Sequence, residues 1–132
     1  MIRTDLFPGA VVLADVKNPR ESISTLGKVR PAVLVRRHGP HGWILIGLTS
    51  QPYYKTTRQP RVPVWASRRN GLRTNGYLWG SKPTRVPEAD VLQRIGIVDE
   101  HLAEVISANC AVGELDAVIL RTTARRPLSD VA

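Results

Sequence analysis

Residues 31–49 read Pro31-Ala-Val-Leu-Val-Arg-Arg-His-Gly-Pro-His-Gly-Trp-Ile-Leu-Ile-Gly-Leu-Thr49, and this stretch decides the fold. It contains two apolar runs, Pro31 to Arg37 and Trp43 to Thr49, separated by the turn-forming residues His38 to Gly42. β-Branched and aromatic residues favour strands, and a short loop that contains glycine favours a hairpin. The sequence therefore predicts two antiparallel neighbouring strands joined by a five-residue loop.

Short apolar runs on both sides of this hairpin predict further strands, at Ala10 to Val16, Arg61 to Trp65 and Tyr77 to Trp79. Pro63 confines its strand to a sheet edge, because proline has no backbone N–H to donate. The residues Arg69-Asn70-Gly71 mark a turn before the last of these strands. Two segments remain as long loops, Lys17 to Val29 and Ser50 to Pro60, and long loops in a small domain usually serve function.

The last third of the chain has a helical pattern. Leu102, Val105 and Ile106 are spaced as one face of a helix that begins near Asp99, a suitable N-cap. Gly113 separates it from a second short helix over Glu114 to Arg121. Because 132 residues fit one domain, we expect residues 1–132 to form a single, mainly β domain, a small barrel-like sheet with a C-terminal helix.

The charge of the chain points to an anionic partner. Lys and Arg number 19 against 11 Asp and Glu, which gives a net charge of +8. No acidic residue occurs from Ser22 to Pro87, although that stretch holds more than half of the cations. A field of one sign raises the encounter rate with polyanions, and arginine suits forked contacts to phosphate. Nucleic acid is therefore a more suitable partner than a membrane surface.

The sequence lacks the features of exported, membrane-spanning or disulfide-bonded proteins. Its apolar runs are far shorter than the ~20 residues of a membrane helix, and residues 1–13 have no signal-peptide pattern. Cys110 is the only cysteine, which excludes an internal disulfide and a zinc site built from paired cysteines. We expect a soluble, cytoplasmic protein that does not contact membranes.

Four segments resemble one protein family in their order and spacing. They are Pro8-Gly-Ala-Val-Val-Leu-Ala-Asp15, Gly27-Lys-Val-Arg-Pro-Ala-Val-Leu-Val35, Gly47-Leu-Thr-Ser-Gln51 and Arg94-Ile-Gly96. Together they are similar to the MazF/PemK family of toxin endoribonucleases, over about residues 7–110. The loop before Arg30 departs from the family, because it lacks the Glu-Gln-Gly run often seen there.

The resemblance implies an SH3-like barrel of the CcdB/MazF type that forms a homodimer. It implies cleavage of single-stranded RNA without a metal or other cofactor, and inhibition by a cognate antitoxin protein. The two principal catalytic positions of the family fall on Arg30 and Thr49. These residues start one strand of the predicted hairpin and end the other, so we expect them at the same end of the sheet.

The residue types suit metal-free RNA scission. Arg30 can donate two parallel hydrogen bonds to two phosphoryl oxygens. These hydrogen bonds strengthen as the negative charge on the oxygens grows in the transition state. Thr49 can donate its hydroxyl to a phosphoryl oxygen, and Ser50 can do the same from the following loop. Gln51 is a candidate contact to a base edge or a phosphate. Because arginine holds its proton tightly, we assign Arg30 an electrostatic role rather than that of the general base.

RNA binding is predicted for the loop Ser50 to Pro60. Tyr53 and Tyr54 precede Lys55 and Arg58 there, a mixture of stacking faces and cations that suits unpaired bases. Structural packing of one tyrosine on the sheet is the alternative. The three tryptophans, Trp43, Trp65 and Trp79, are expected in the core or at a dimer interface because each can bury a large area.

The histidines are expected on the surface, away from the site. His38 and His41 belong to the hairpin loop, at the opposite end from Arg30 and Thr49, and His101 lies in the first turn of a helix. A metal site at His38 and His41 lacks third and fourth ligands nearby.

Two other functional classes stay open. A non-catalytic nucleic-acid-binding barrel would also be basic, but it does not need Arg30 and Thr49 together. A CcdB-like gyrase poison, from a related toxin family with this fold, would act on a protein target. An RNA cleavage assay separates the first class from a nuclease.

Overall fold

The computed structural model describes residues 3–16 and 28–127, and most of their regular structure is β-strand. Two helices follow the strands, α1 (Glu100–Asn109) and α2 (Glu114–Ala124). The prediction of a mainly β chain with helices at its C-terminal end is confirmed. The seven strands are β1 (Ala10–Val16), β2 (Lys28–His38), β3 (Gly42–Thr49), β4 (Pro63–Val64), β5 (Gly76–Leu78), β6 (Thr84–Pro87) and β7 (Val91–Ile97).

The strands form one antiparallel sheet in the order β4-β5-β3-β2-β1-β7, with β6 also paired to β3. One edge of β3 pairs with β2, and its other edge is shared by β6 over residues 42–45 and β5 over residues 48–49. β4 lies at one end of this path, as expected for a strand that contains Pro63. The β2–β3 hairpin is therefore the centre of the sheet.

The central hairpin is tighter than the sequence predicts. His38 pairs with Gly42, so the connection is residues 39–41 and not a five-residue loop. Gly39 allows this reversal with a φ of +67°, a conformation that costs glycine little. β2 also begins early, because Lys28 and Val29 continue its pairing with β1. The predicted loop Lys17 to Val29 is wrong at those two residues, and its remainder lies outside the described residues.

Both faces of the sheet are buried. Successive side chains of each central strand point to opposite faces, and the apolar ones pack into a separate cluster on each face. One cluster includes Val33, Ile46 and Leu48 and packs under the two helices. The other lies on the opposite face and includes the even-numbered residues of β1 with Ala32, Leu34, Trp43 and Leu45. Near-continuous apolar runs such as β3 are typical of strands covered on both faces.

β6 and β7 are the two strands that the sequence interpretation missed. Thr84–Pro87 pairs with β3. The last third of the chain has a helical pattern in the sequence, but Val91–Ile97 pairs with β1. Its apolar alternation is weak because two register shifts interrupt this pairing. Gly96 is required by close packing, since a Cβ there would lie 2.4 Å from the backbone of Asn70.

The turn after β4 is anchored by Asn70, which is fully buried. Its side-chain nitrogen donates to the Trp65 carbonyl and to Asp99 Oδ2, both at 2.9 Å. Asp99 is also the N-cap of α1, because its other carboxylate oxygen accepts from the Leu102 amide at 2.8 Å. The predicted cap is therefore confirmed, and it links the helix to the turn.

The helices are short and cover one face of the sheet. α2 starts after Gly113, as predicted, but continues to Ala124, three residues beyond the expected end at Arg121. Among the described residues, no helix is long and apolar enough to cross a membrane.

Candidate active site

Arg30 and Thr49 lie at the same end of the β2–β3 hairpin, opposite its connecting turn. Ala32 and Gly47 are the paired residues of β2 and β3 that lie farthest from the turn. Arg30 precedes that pair by two residues and Thr49 follows it by two, so both side chains continue the same face of the sheet. The predicted juxtaposition of the two residues at one end of the sheet is thus observed, and both residues are half-buried.

The Thr49 hydroxyl is oriented by the backbone that follows it. Its oxygen accepts a hydrogen bond from the Gln51 amide at 3.2 Å. A hydroxyl that accepts one hydrogen bond keeps its proton for donation to another group. This local turn therefore suits Thr49 to donate to an anion at the end of the strand.

The Arg30 guanidinium lies over the indole ring of Trp79, with Cζ 3.9 Å from the ring centroid. The backbone of Trp79 continues the pairing of β5 with β3, because its amide donates to the Gly47 carbonyl at 2.8 Å. Its indole extends across Gly47 to reach Arg30 on β2. A Cβ at residue 47 would lie 3.4 Å from the Trp79 Cβ, an ordinary van der Waals distance, so the Trp79 side chain packs directly over Gly47. The Arg30 guanidinium thus packs against the indole ring of Trp79.

A second arginine extends this stack to the following loop. The Arg61 guanidinium lies 5.1 Å from the Trp79 ring centroid and 4.3 Å from that of Tyr54. Its Nη1 also donates to the Trp79 carbonyl. Tyr54, Arg61, Trp79 and Arg30 form a continuous series of contacts, which we call the arginine–aromatic stack.

The loop from Ser50 to Pro60 has a defined backbone. Tyr53 and Pro60 form an isolated antiparallel bridge, and the Tyr54 amide donates to the Gln59 carbonyl at 2.9 Å. Arg58 has a φ of +57°, an uncommon conformation for a non-glycine residue. The loop is therefore folded into a small hairpin beside the stack.

An open depression of about 490 Å³ lies on this loop, lined by Tyr53, Tyr54, Lys55 and Arg58. Three of these residues, Tyr53, Lys55 and Arg58, are predicted RNA contacts, and the structure brings them together. The Tyr53 side chain is 59% exposed, whereas the Tyr54 ring is covered by Arg61. Tyr53 is therefore the tyrosine whose ring is available to stack on a base.

Ser50 and Gln51 lie between Thr49 and the depression, and neither lines it. Both side chains are exposed. Their position follows from the chain, because β3 ends at Thr49 and the loop starts immediately after it. They are the first residues of the loop and connect Thr49 to the depression.

The positive charges of the basic stretch are not all equivalent. Arg37 pairs with Glu88 at 3.1 Å, and Arg36 pairs with Asp116 at 2.5 Å. Within residues 3–16 and 28–127, Lys55, Arg58 and Arg61 form no salt bridge. Folding therefore neutralises two cations near the hairpin turn and leaves a positive surface around the depression.

Two of the three histidines lie at the opposite end of the hairpin from Arg30 and Thr49. His38 and His41 lie exposed at the hairpin turn, as predicted. His101 is less exposed than expected, because its ring stacks on Trp65 with centroids 5.9 Å apart. Its Nε2 accepts from the Trp65 amide at 3.1 Å. In the described part of the chain, no three His, Cys, Asp or Glu side chains converge as metal ligands.

Cys110 is not an activated nucleophile. Burial raises the pKa of its thiol to about 11, so the thiol is protonated at neutral pH. Only the thiolate is strongly nucleophilic.

Two site residues were missed from the sequence, Arg61 and Trp79. Trp79 was predicted in the core or at a dimer interface. It is half-buried rather than in the core, and its ring contacts Arg30 and Arg61. Of the other tryptophans, Trp43 is buried as predicted, whereas Trp65 is 52% exposed. No sequence pattern connects positions 30, 54, 61 and 79, and the only available signal was the dense positive charge around them.

A scan of the chain against protein-family models found no match, and a search of curated proteins found none either.

Proposed function

We propose that this protein is a toxin endoribonuclease of the MazF/PemK type, which cleaves single-stranded RNA in the cytoplasm without a metal. The observation that carries the proposal is the position of Arg30 and Thr49 at one end of the central hairpin, next to an aromatic, positively charged loop. The proposal includes the SH3-like barrel that the family resemblance implies.

The proposed reaction needs no group beyond the RNA and the protein. The ribose 2′-oxygen attacks the adjacent phosphorus, the bond to the 5′-oxygen breaks, and the products carry a 2′,3′-cyclic phosphate and a 5′-hydroxyl. The 2′-hydroxyl gives up its proton, and the leaving 5′-oxygen gains one. Arg30 stabilises the negative charge that develops on the phosphoryl oxygens, and the Thr49 hydroxyl donates to one of them.

The loop after β3 supplies binding rather than chemistry in this proposal. Tyr53 presents an exposed ring to a base, while Lys55 and Arg58 on the same depression attract phosphates. Ser50 and Gln51 contact the RNA between the cleaved phosphate and that base.

The partners in the proposal are a second copy of the chain and an acidic antitoxin segment. A net charge of +8 and an acid-free stretch from Ser22 to Pro87 favour acidic partners. A two-fold dimer would join two short cationic surfaces into a longer channel, for which the RNA and the antitoxin compete. Light scattering at micromolar concentration tests the dimer, and a monomer that cleaves RNA would contradict it.

Purified protein and a single-stranded RNA in EDTA test the activity. We expect cleavage with cyclic phosphate and 5′-hydroxyl ends, because the nucleophile belongs to the substrate. Loss of cleavage in EDTA with rescue by Mg²⁺ would contradict the proposal, and binding without cleavage would indicate a non-catalytic barrel.

The salt dependence of RNA binding separates nucleic acid from a protein target. Affinity for uncleaved RNA should fall steeply with salt, with a logarithmic slope of about −0.7 for each phosphate contact. A flat salt profile without cleavage would instead favour a gyrase poison of the CcdB type.

A further inference from the structure

We propose that Trp79 is a positioning residue for Arg30, and that Arg61 holds Trp79 in place. This inference rests on the proposed function, because Arg30 is the group whose geometry it explains. It assigns a role to two residues that lie outside the four sequence segments on which the family resemblance depends.

Arg30 and Trp79 have the geometry of a stacked pair. The Arg30 Cζ lies 3.9 Å from the Trp79 ring centroid, which is contact distance for a guanidinium on an indole face. Stacking uses the flat face of a guanidinium, whereas its N–H donors point outwards in the plane. The Trp79 contact therefore occupies the flat face of the Arg30 guanidinium and restricts the plane in which its N–H groups lie.

Trp79 is itself held by backbone hydrogen bonds on both sides of its Cα. Its amide donates to the Gly47 carbonyl at 2.8 Å, and its carbonyl accepts from Arg61 Nη1. The Trp79 side chain packs directly over Gly47, where an added Cβ would be in van der Waals contact with it. The indole therefore packs against β3, the central strand that ends at Thr49. Arg30 and Thr49 are thus both positioned by this strand.

Arg61 places a second guanidinium beside the Trp79 ring. Arg61 lies over both Tyr54 and Trp79 and forms no salt bridge within the described residues. Two guanidinium groups on one ring raise the local positive potential, and an anion beside them is attracted by both charges. The stack thus favours an anion at the position where Arg30 acts.

The stack is tested without RNA by the indole N–H signals in a ¹⁵N-correlated NMR spectrum. Trp79→Phe and Trp65→Phe identify their own signals by loss, and the remaining signal belongs to Trp43. We expect Arg30→Met to shift the Trp79 signal and not the Trp43 signal. Arg37→Met is the matched control and should shift the Trp43 signal instead, because Arg37 lies over Trp43. An unmoved Trp79 signal in Arg30→Met would overturn the stack.

The positioning role is tested by cleavage kinetics. We expect Trp79→Leu to lower kcat about tenfold while KM stays within about twofold, the factor expected from losing one cation–π contact. Trp79→Phe keeps a ring face and should recover most of kcat. Trp65→Leu removes an exposed tryptophan elsewhere and should leave both constants unchanged. Thermal unfolding of each variant verifies that it is folded.

The outcomes of the two tests are distinguishable. If the wild-type protein does not cleave RNA, the proposed function fails, whereas the NMR result still decides the stack. If Trp79→Leu raises KM and leaves kcat unchanged, Trp79 binds RNA directly and the positioning role is wrong. A folded Trp79→Leu protein with wild-type kcat and KM would also overturn it.

Discussion

An arginine lies over a tryptophan at both ends of the β2–β3 hairpin, and the surroundings of the two pairs differ. At the turn end, Arg37 lies 4.5 Å from the ring centroid of Trp43, which is 1% exposed. Glu88 joins both partners, because it accepts from Trp43 Nε1 at 3.0 Å and pairs with Arg37 at 3.1 Å. The group is a neutralised, closed unit that supports the core.

At the other end the corresponding tryptophan, Trp79, is half-buried and lies under two guanidinium groups. No carboxylate of the described residues pairs with Arg61 there. An arginine–tryptophan contact whose charge is neutralised by a carboxylate stabilises the fold. An arginine–tryptophan contact that keeps positive charge is suited to bind a phosphate. The following predictions test that difference.

The largest expected effect is on stability at the turn end. Trp43→Ala should lower the free energy of unfolding by about 3–5 kcal/mol, because it removes a fully buried aromatic side chain. Trp65→Ala is the control and should cost about 1 kcal/mol or less, since half of that side chain is exposed. Urea denaturation measures both. Equal costs for the two variants would contradict the view that the Trp43 unit supports the core.

The next effect is on catalysis at the site end. Arg30→Ala should lower the cleavage rate by at least about a hundredfold without unfolding the protein, because a donor to developing negative charge is lost. Thr49→Ala should cost less, about tenfold, as expected for one hydrogen bond to a charged group. Single-turnover cleavage of a labelled RNA measures both.

The control for this prediction is the other end of the hairpin. Arg37→Ala and the double replacement of His38 and His41 by alanine should leave the rate within about twofold. If they abolish cleavage while Arg30→Ala retains it, the active site lies at the turn end.

A smaller effect is expected on RNA affinity. Tyr53→Ala should raise the Kd for uncleaved RNA about five- to a hundredfold, the cost of losing one base stack. Tyr54→Phe should have no effect, because the ring under Arg61 is retained. Fluorescence anisotropy at one fixed salt concentration measures both variants. Normal affinity in Tyr53→Ala would remove the depression from the RNA interface.

The smallest effect is the pH dependence of the turn end. The hydrogen bond from Trp43, followed by the charge of Arg37, lowers the pKa of Glu88 below its usual range. A carboxyl group with a lowered pKa in the folded state stabilises the protein above its unfolded pKa and loses that effect as the pH falls. The stability difference between wild type and Glu88→Gln should therefore shrink below about pH 4.

The donor from Trp43 provides the control for this effect. Trp43→Phe removes the hydrogen bond, so Glu88→Gln in that background should show a smaller pH-dependent difference. Urea unfolding between pH 3 and 7 measures it. A difference that stays constant with pH would show that Glu88 acts only by packing.

The elements predicted correctly are those whose signals are local. β1 is confirmed at Ala10–Val16, and the N-cap at Asp99 is confirmed by its hydrogen bond to the Leu102 amide. The hairpin turn is wrong by one residue at each end, because the pairing of His38 with Gly42 depends on strand register rather than on residue type. β7 was missed because its irregular pairing with β1 removes the alternation that identifies a strand.

The sequence by itself determined the hairpin, the charge and the proximity of Arg30 to Thr49. Two apolar runs joined by a glycine-rich turn can pair in few ways, so residues at the outer ends of the two strands must meet. The acid-free stretch from Ser22 to Pro87 is likewise a property of the sequence alone. These features depend on neighbouring residues and are readable without the rest of the fold.

Only the tertiary structure decided which arginines form salt bridges and which tryptophan packs against Arg30. Asp116 reaches Arg36 across 80 positions, and Glu88 reaches Trp43 across 45. Trp79 contacts Arg30 because its backbone pairs with β3 and its indole extends across Gly47 to β2. Such contacts depend on how the strands and helices pack together, and residue order alone does not specify that packing.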